Sequence, residues 1–315
     1  MAILIRPHKH IIKARAGNAE AILEKLDEYL KANSGEPVKI LCGFWKDQQN
    51  AITYKELREA VINGSLDEET FREWSKDYSL LVQEHLQFLW KEALVAGSVS
   101  QPITAGLAGY AFNVEYPAVM SWVSQRGALL VTASVTEQRE AISALLTQSI
   151  RERHSVDELA RFIRPCIGLT EPQAKANLRY YENMVRSLKE QHPKMKSESV
   201  QMKAREAAAK YAVKQHRQRA LTIAQTEMAT AYNKGADEGI RQAQEQKLIG
   251  KVVKRWCTSN DDMVCEQCRA LEGIEIGMGE SFKIKGKSTG ENITPPAHPR
   301  CACAIEYIEV GSPDF

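Results

Sequence analysis

Ser65-Leu-Asp-Glu-Glu-Thr-Phe71-Arg-Glu-Trp74-Ser-Lys-Asp-Tyr78-Ser-Leu-Leu-Val-Gln-Glu-His85-Leu-Gln-Phe88-Leu-Trp90-Lys-Glu-Ala-Leu-Val95 sets the fold class. Its opening has the form of a capping box. The Ser65 hydroxyl can accept from the amide three residues on, while Glu68 reaches back to the start. Phe71, Trp74, Tyr78, His85, Phe88, Leu89 and Trp90 then recur at roughly helical spacing, which is the pattern of an apolar stripe facing a core. The spacing predicts a single helix from about Leu66 to about Val95, with His85 a structural histidine within it.

The same grammar extends in both directions. Upstream, Thr53-Tyr-Lys-Glu56 opens a helix that Asn63-Gly64 closes. Ile22, Leu23, Leu26, Tyr29 and Leu30 give Ala19–Ala32 one apolar face, with Asn18 as N-cap and Asn33-Ser34-Gly35 as a stop in residues that tolerate left-handed backbone. Downstream, Ser155-Val-Asp-Glu158 and Thr170-Glu-Pro-Gln173 open two more helices. Ala96–Gly109 is small, polar and glycine-rich, so it reads as a linker or exposed loop at a domain boundary. Helices resume near Tyr116-Pro117 and run to about Glu190. Another spans about Ala204 to Gln246, with Gly235 and Gly239 as interruptions and alanines that permit close packing. The fold class is therefore mainly α: helical N-terminal and central regions, with domains at 1–96, 110–195 and 196–315.

The last segment differs. Lys251–Cys257 and Ala302–Val310 read as strands, with turns, glycines and Pro295-Pro296 between them, so a small α+β lobe should close the chain. Five of the seven cysteines crowd here. Cys265-Glu-Gln-Cys268 lets two thiolates turn onto one ion, and Cys301-Ala-Cys303 in a strand would put two more on one face. Four soft ligands suit tetrahedral zinc. The favoured set is Cys265, Cys268, Cys301 and Cys303, with His298 as the substitute for either member of the second pair and Cys257 outside both steps. Such an ion would staple a lobe too short and glycine-rich to stand on core burial alone. Metal-free cysteines are the bland alternative. A catalytic metal would need a general base, for which Glu266, Glu272 and Glu306 are the nominees, but no HExxH or HxE pattern places one.

Composition narrows the remaining classes. With 315 residues, 43% of them hydrophobic, the chain can build two or three cored domains. A net charge of +2 gives no whole-chain case for nucleic acid. No apolar run approaches the ~20 residues of a membrane span. The start, Met-Ala-Ile-Leu-Ile-Arg-Pro-His-Lys-His10, lacks the order of a secretory signal. A cytoplasmic site of synthesis is the consequence, and there clustered thiols favour metal over disulfides. One basic stretch stands out between Arg186 and Arg219. Within it Lys203, Arg205, Lys210, Lys214, Arg217 and Arg219 are candidate phosphate contacts, against the plainer reading of a solvated helical face.

Several motifs, in order, resemble the phage Mu F-like domain of minor head (head morphogenesis) proteins. They are Trp256-Cys-Thr258, Asp261-Asp-Met-Val-Cys265-Glu-Gln-Cys268-Arg-Ala-Leu-Glu-Gly273 and Pro295-Pro-Ala-His298-Pro-Arg-Cys301-Ala-Cys303. Upstream, Ile223-Ala-Gln-Thr-Glu227, Gln125-Arg-Gly-Ala128, Leu159-Ala-Arg161 and Ile167-Gly-Leu-Thr170 fit as well. The likeness covers roughly residues 120–308. Gln225 stands where the family has Arg, and Arg300 and Ala302 stand where its ending has Asn and Arg. The resemblance implies a non-enzymatic structural component of the virion head. It implies the portal protein as partner and makes scaffold, major capsid protein and double-stranded DNA further candidates, with no membrane. The place implied is the host cytoplasm during assembly and then the head interior near the portal vertex. Some relatives carry a toxin domain after this module, for which the few residues beyond Cys303 leave no room. The competing reading is a zinc-dependent enzyme or a DNA-binding protein acting during packaging or entry.

Overall fold

The computed structural model of the chain describes residues 17–152, 155–283 and 294–310, with backbone alone at 148–152. The first ten residues, where a targeting signal would stand, and the last five lie outside the described residues. The architecture is mainly α with a small C-terminal α+β lobe, as the periodicities predict. Its helices are α1 (Ala19–Asn33), α2 (Gly35–Ala51), α3 (Tyr54–Asn63), α4 (Glu68–Leu81), α5 (Gln87–Ser98), α6 (Pro117–Glu152), α7 (Val156–Ile163), α8 (Glu171–Gln191) and α9 (Ser197–Glu245). β1 (Val252–Cys257), α10 (Glu266–Leu271), β2 (Glu275–Gly277) and β3 (Ala304–Glu309) complete the order.

Contacts group these elements into two compact units, each assembled from separated segments. A bundle unit comprises 32–92 and 114–228, and a lobe unit comprises the described residues of 1–31, 93–113 and 229–315. This differs from the three successive stretches expected from composition. Long-range burial joins segments that no local change in the sequence connects.

In the bundle unit, the caps carry much of the local order. Thr53 accepts the Glu56 amide at 3.2 Å while Glu56 accepts the Thr53 amide at 2.6 Å, a complete capping box. Gly64 ends α3 in the left-handed conformation at φ 75°. Thr170 and Gln173 form a second box, and Ser155 accepts the Glu158 amide at 3.2 Å. The Ser65 box is not used. Asp67 caps α4 instead, accepting the Glu69 amide at 3.3 Å. The reason is burial: Leu66, in the position before the cap, enters the same apolar cluster as Phe71, a hydrophobic staple that sets where the helix begins. At the end of α1, Ser34 stays right-handed (φ −71°, ψ −16°) and α2 begins at once, so the expected left-handed stop is absent.

The aromatic stripe is real but shifts phase. Residues Val82–Leu86 form one π-helical turn between α4 and α5. That turn rotates the later positions by about one residue, so the buried series runs Phe71, Trp74, Tyr78, Val82, Leu86, Trp90. His85 and Phe88, expected in the core, face outward, with Phe88 62% exposed. A polar lock sits inside this unit. Tyr78 Oη accepts from Trp45 Nε1 at 2.7 Å and from Gln138 Nε2 at 2.6 Å. Gly168, at φ +88°, lies against Trp45, where an added Cβ would come within 2.5 Å of the ring.

In the lobe unit, β1 is the central strand of an antiparallel sheet ordered β2-β1-β3. Trp256, Leu271, Phe282, Ile305 and Tyr307 fill its core together with Ala236, Ile240 and Ala243 of α9. The stretch 96–109 is not the exposed linker its composition predicts. Ser98, Ser100, Gln101 and Thr104 are all buried. Gln101 Nε2 donates to the Ile305 carbonyl at 3.0 Å, and its Oε1 accepts the Tyr307 amide at 3.3 Å. One side-chain amide thus pairs with the outer edge of β3, as a neighbouring strand would. Nor do Gly235 and Gly239 interrupt α9. They let its backbone approach that of residues 94–98, so that a Cβ on Gly235 would lie 2.0 Å from the Leu94 carbonyl oxygen.

Candidate metal centre

The Cys265–Cys268 step folds as a knuckle. Cys265 leaves the preceding loop in extended backbone and caps α10, its Sγ accepting the Cys268 amide at 3.4 Å. That bond holds the first sulfur over the helix start and brings the second to the same side. Cys301 and Cys303 lie in the approach to β3, one to three residues before its first pair, and both are buried. His298 precedes them on a turn whose Arg300 has left-handed backbone, φ 58°. Asparagine would tolerate that conformation far better than arginine does.

The two cysteine pairs meet at Cys268. Cys268 Sγ lies 3.7 Å from Cys301 Sγ and 3.6 Å from His298 Nε2. Among the described residues, two sets of three donors have all members within 4.8 Å of one another: Cys265, Cys268 and His298, and Cys268, Cys301 and Cys303. Cys268 belongs to both. All seven cysteines are free thiols, and Cys257, buried in β1, belongs to neither set. Its thiol is pushed up to about 12, chiefly by burial, which keeps it protonated and inert.

The cysteines and the imidazole titrate as one coupled group. Cys301 sits far below the ordinary thiol value because Cys268 and Cys303 hydrogen-bond to its sulfur, and Cys268 is driven far up by the same Cys301 contact. Burial opposes charge on His298, yet the Pro299 carbonyl and the Cys301 and Cys265 sulfurs hold its imidazole above the ordinary value. The Pro299 carbonyl can only accept, so the 3.0 Å contact at Nδ1 is an N–H donation. In the neutral imidazole that leaves the lone pair on Nε2, which faces Cys268, the arrangement a metal-binding histidine uses. A largely buried, sulfur-rich donor set with an imidazole beside it fits a soft divalent ion such as zinc, which would bind the cysteines as thiolates.

The cluster lines a cleft of about 800 Å³ whose opposite wall is α1. Glu20, Glu24 and Asp27 line it from one face of that helix, and Asp261 from the loop before α10. Sequence does not single out these carboxylates, because α1 offers only an ordinary amphipathic pattern. Helix α1 is positioned by its buried Ile22, Leu26 and Leu30 and by Glu306 Oε1, which accepts the Asn18 amide at 2.7 Å. Lys25 adds a bond to the Ser100 carbonyl at 2.9 Å, and Tyr29 packs on Tyr232 at 5.1 Å. The nominated bases lie elsewhere. Glu272 accepts the Thr258 amide at 2.6 Å, Glu306 also pairs with Arg255, and Glu266 is exposed at the start of α10; none lines the cleft.

The basic candidates separate in two. Lys203, Lys210, Lys214 and Arg217 are exposed and Arg205 is half-buried. Arg219 is 5% exposed, pairs with Glu137, donates to the Gly168 carbonyl and lies 5.0 Å over the Trp45 ring. It is a structural residue of the bundle unit, not a phosphate contact. Arg219→Lys is expected to destabilise that unit by about 2–3 kcal/mol, since an ammonium cannot keep the forked donation and the ring contact together. Lys203→Ala should stay within about 0.5 kcal/mol. Urea denaturation of the two variants side by side checks both.

These elements define a mainly helical protein with a small three-stranded C-terminal lobe that carries a Cys/His cluster. The family model for phage Mu protein F like protein matches residues 140–306, just over half of the chain and inclusive of all five donors. The chain belongs to that family, a family of phage head-morphogenesis proteins. No curated protein and no solved structure matches it. One intact contact ties two of the family-like motifs together: Arg126 forms a forked ion pair with Glu227, at 2.7 and 2.6 Å.

Proposed function

We propose that this chain is a minor head protein that associates with the portal during capsid assembly, remains in the head interior near the portal vertex, and uses zinc as a structural staple of its C-terminal lobe. The observation that carries the reading is the family match, which runs through the bundle's last helices and ends in β3 with every Cys/His donor inside it. Scaffold and major capsid protein are further partners on the same reading. A non-catalytic role is supported by the nominated bases, since Glu272 and Glu306, two of the three, stand outside the cleft and are engaged by backbone amides. The competing enzymatic reading would require turnover that depends on one of those carboxylates or on His298.

Contact with packaged DNA is supported by one specific feature. Lys203, Lys210, Lys214 and Arg217 are exposed at intervals of seven, four and three residues on α9. At ~100° per residue they fall within about 60° of arc and span about 21 Å, a stripe that tracks phosphates without reading bases.

Copurification tests the portal reading. The full chain, co-expressed with its cognate portal protein, is expected to elute with portal oligomers, whereas elution as a free monomer would overturn it. For DNA, reversing Lys203, Lys210 and Lys214 to Glu should lower the slope of log affinity against log salt by about 3, near 0.9 per lost phosphate contact. An unchanged slope would remove the stripe from the function.

A further inference from the structure

We propose that the Cys/His cluster is a two-ion centre in which the Cys268 sulfur is shared. One ion is held by Cys265, Cys268 and His298, the other by Cys268, Cys301 and Cys303. The inference rests on the reading of this cluster as a metal site and goes further, to its capacity and ligand assignment.

The first argument is geometric. A tetrahedral ion with ~2.3 Å bonds to sulfur draws its four donors to within ~3.8 Å of one another. The five donors do not group that way. Among the described residues, the donor sets with every pair within 4.8 Å are the two triads, and the four cysteines do not form one set. A single closed site on Cys265, Cys268, Cys301 and Cys303 would therefore require the two pairs to be rearranged. Each triad keeps its members within 4.8 Å, and the two meet at one atom. Cys268 Sγ is 3.6 Å from the imidazole nitrogen of one triad and 3.7 Å from the Cys301 sulfur of the other. A thiolate sulfur has lone pairs enough to bind two soft ions at once, and both triads consist of soft or borderline donors.

The second argument is charge. Four thiolates around one divalent ion leave a net charge of −2 in a cleft that Glu20, Glu24, Asp27 and Asp261 also line. Like charges in a partly buried site raise its energy. Two divalent ions bring the four thiolates and the neutral imidazole to zero. The acidic wall then favours loading the second ion, where it would oppose a closed tetrathiolate site. Three protein donors per ion leave each shell to be completed by water or a carboxylate from the cleft.

The test is metal stoichiometry on the full chain, stripped with chelator under reducing conditions and reloaded with Zn²⁺ or Cd²⁺. Native mass spectrometry is expected to show two ions per chain, and ¹¹³Cd NMR two resonances coupled through the shared sulfur. His298→Ala and Cys303→Ser each remove an unshared donor and should lower the count from two to one, with the far-ultraviolet circular dichroism kept. A wild-type count of one overturns the two-ion centre and leaves a metal site standing. A count of zero overturns both. A count of two that neither variant lowers places the second ion elsewhere and overturns the assignment.

Discussion

Gly235→Ala is expected to destabilise the lobe unit by about 3 kcal/mol or more, the upper end of what an overpacked methyl usually costs. The added Cβ would stand 2.0 Å from the Leu94 carbonyl oxygen and 2.7 Å from its Cα. Both are backbone atoms, so no rotamer change relieves the clash and one chain segment must move. The contact is reciprocal: a Cβ on Gly97 would lie 1.9 Å from the Tyr232 carbonyl oxygen, and one on Gly239 would lie 2.9 Å from that of Ser98. Three glycines therefore make one close approach between α9 and the segment 94–98, which holds the buried Gln101 stretch against β3. Gly43→Ala in α2 is the control, because nothing lies within 4 Å of its added Cβ. There the same methyl should stabilise by about 0.5–1 kcal/mol through reduced backbone entropy. Equilibrium urea unfolding, read by hydrogen exchange at the β1 and β3 amides for the lobe and at α2 amides for the control, gives both signs. A Gly235→Ala chain as stable as the parent would mean the approach is not there.

Much of what is local is legible in the sequence. The Thr53 and Thr170 boxes need only four residues each, the two longer strands need only partial alternation, and Cys265–Cys268 needs only a knuckle. The nearness of Cys268 to Cys301 follows the same spacing, but the division of the donors into two triads around Cys268 does not show in it. Several of the misreadings share a cause in long-range packing. Composition marks 96–109 as a loop, but its small side chains are small because backbones approach closely there, the same reason Gly235 is not a helix break. Arg219 reads as the end of a basic stripe, yet Trp45, Gly168 and Glu137 close around it. The π turn at Val82–Leu86 has no sequence signature, so a continuous helical period runs one residue out of phase beyond it and puts His85 and Phe88 in the core. The cleft carboxylates of α1 are invisible for a different reason: more than two hundred residues separate them from the cysteines they face.

Metal removal should unfold the lobe unit and spare the bundle unit. Cys268, Cys301 and Cys303 are members of the lobe's apolar cluster beside Trp256, Leu271 and Ile305, so the knuckle, the approach to β3 and the sheet core share atoms. If they merely pack as small apolar thiols, chelation changes nothing. If they hold zinc, the ion contributes on the scale seen for structural sites, ~10–16 kcal/mol of apparent binding free energy, comparable to or larger than a domain's whole net stability of ~5–15 kcal/mol. Excess chelator should then abolish hydrogen-exchange protection at the amides of β1 and β3 while leaving those of α6 and α8 unchanged, and re-added zinc should restore it. Cys268→Ala should behave like the chelated parent whether or not zinc is supplied, since it removes the donor common to both triads. Cys257→Ser separates metal loss from core damage: its buried hydroxyl lowers baseline stability by about 1–2 kcal/mol, but the zinc-dependent increment should be kept because this sulfur belongs to neither triad. Protection indifferent to chelator in the parent would leave the cysteines as packing and take the staple out of the proposed function.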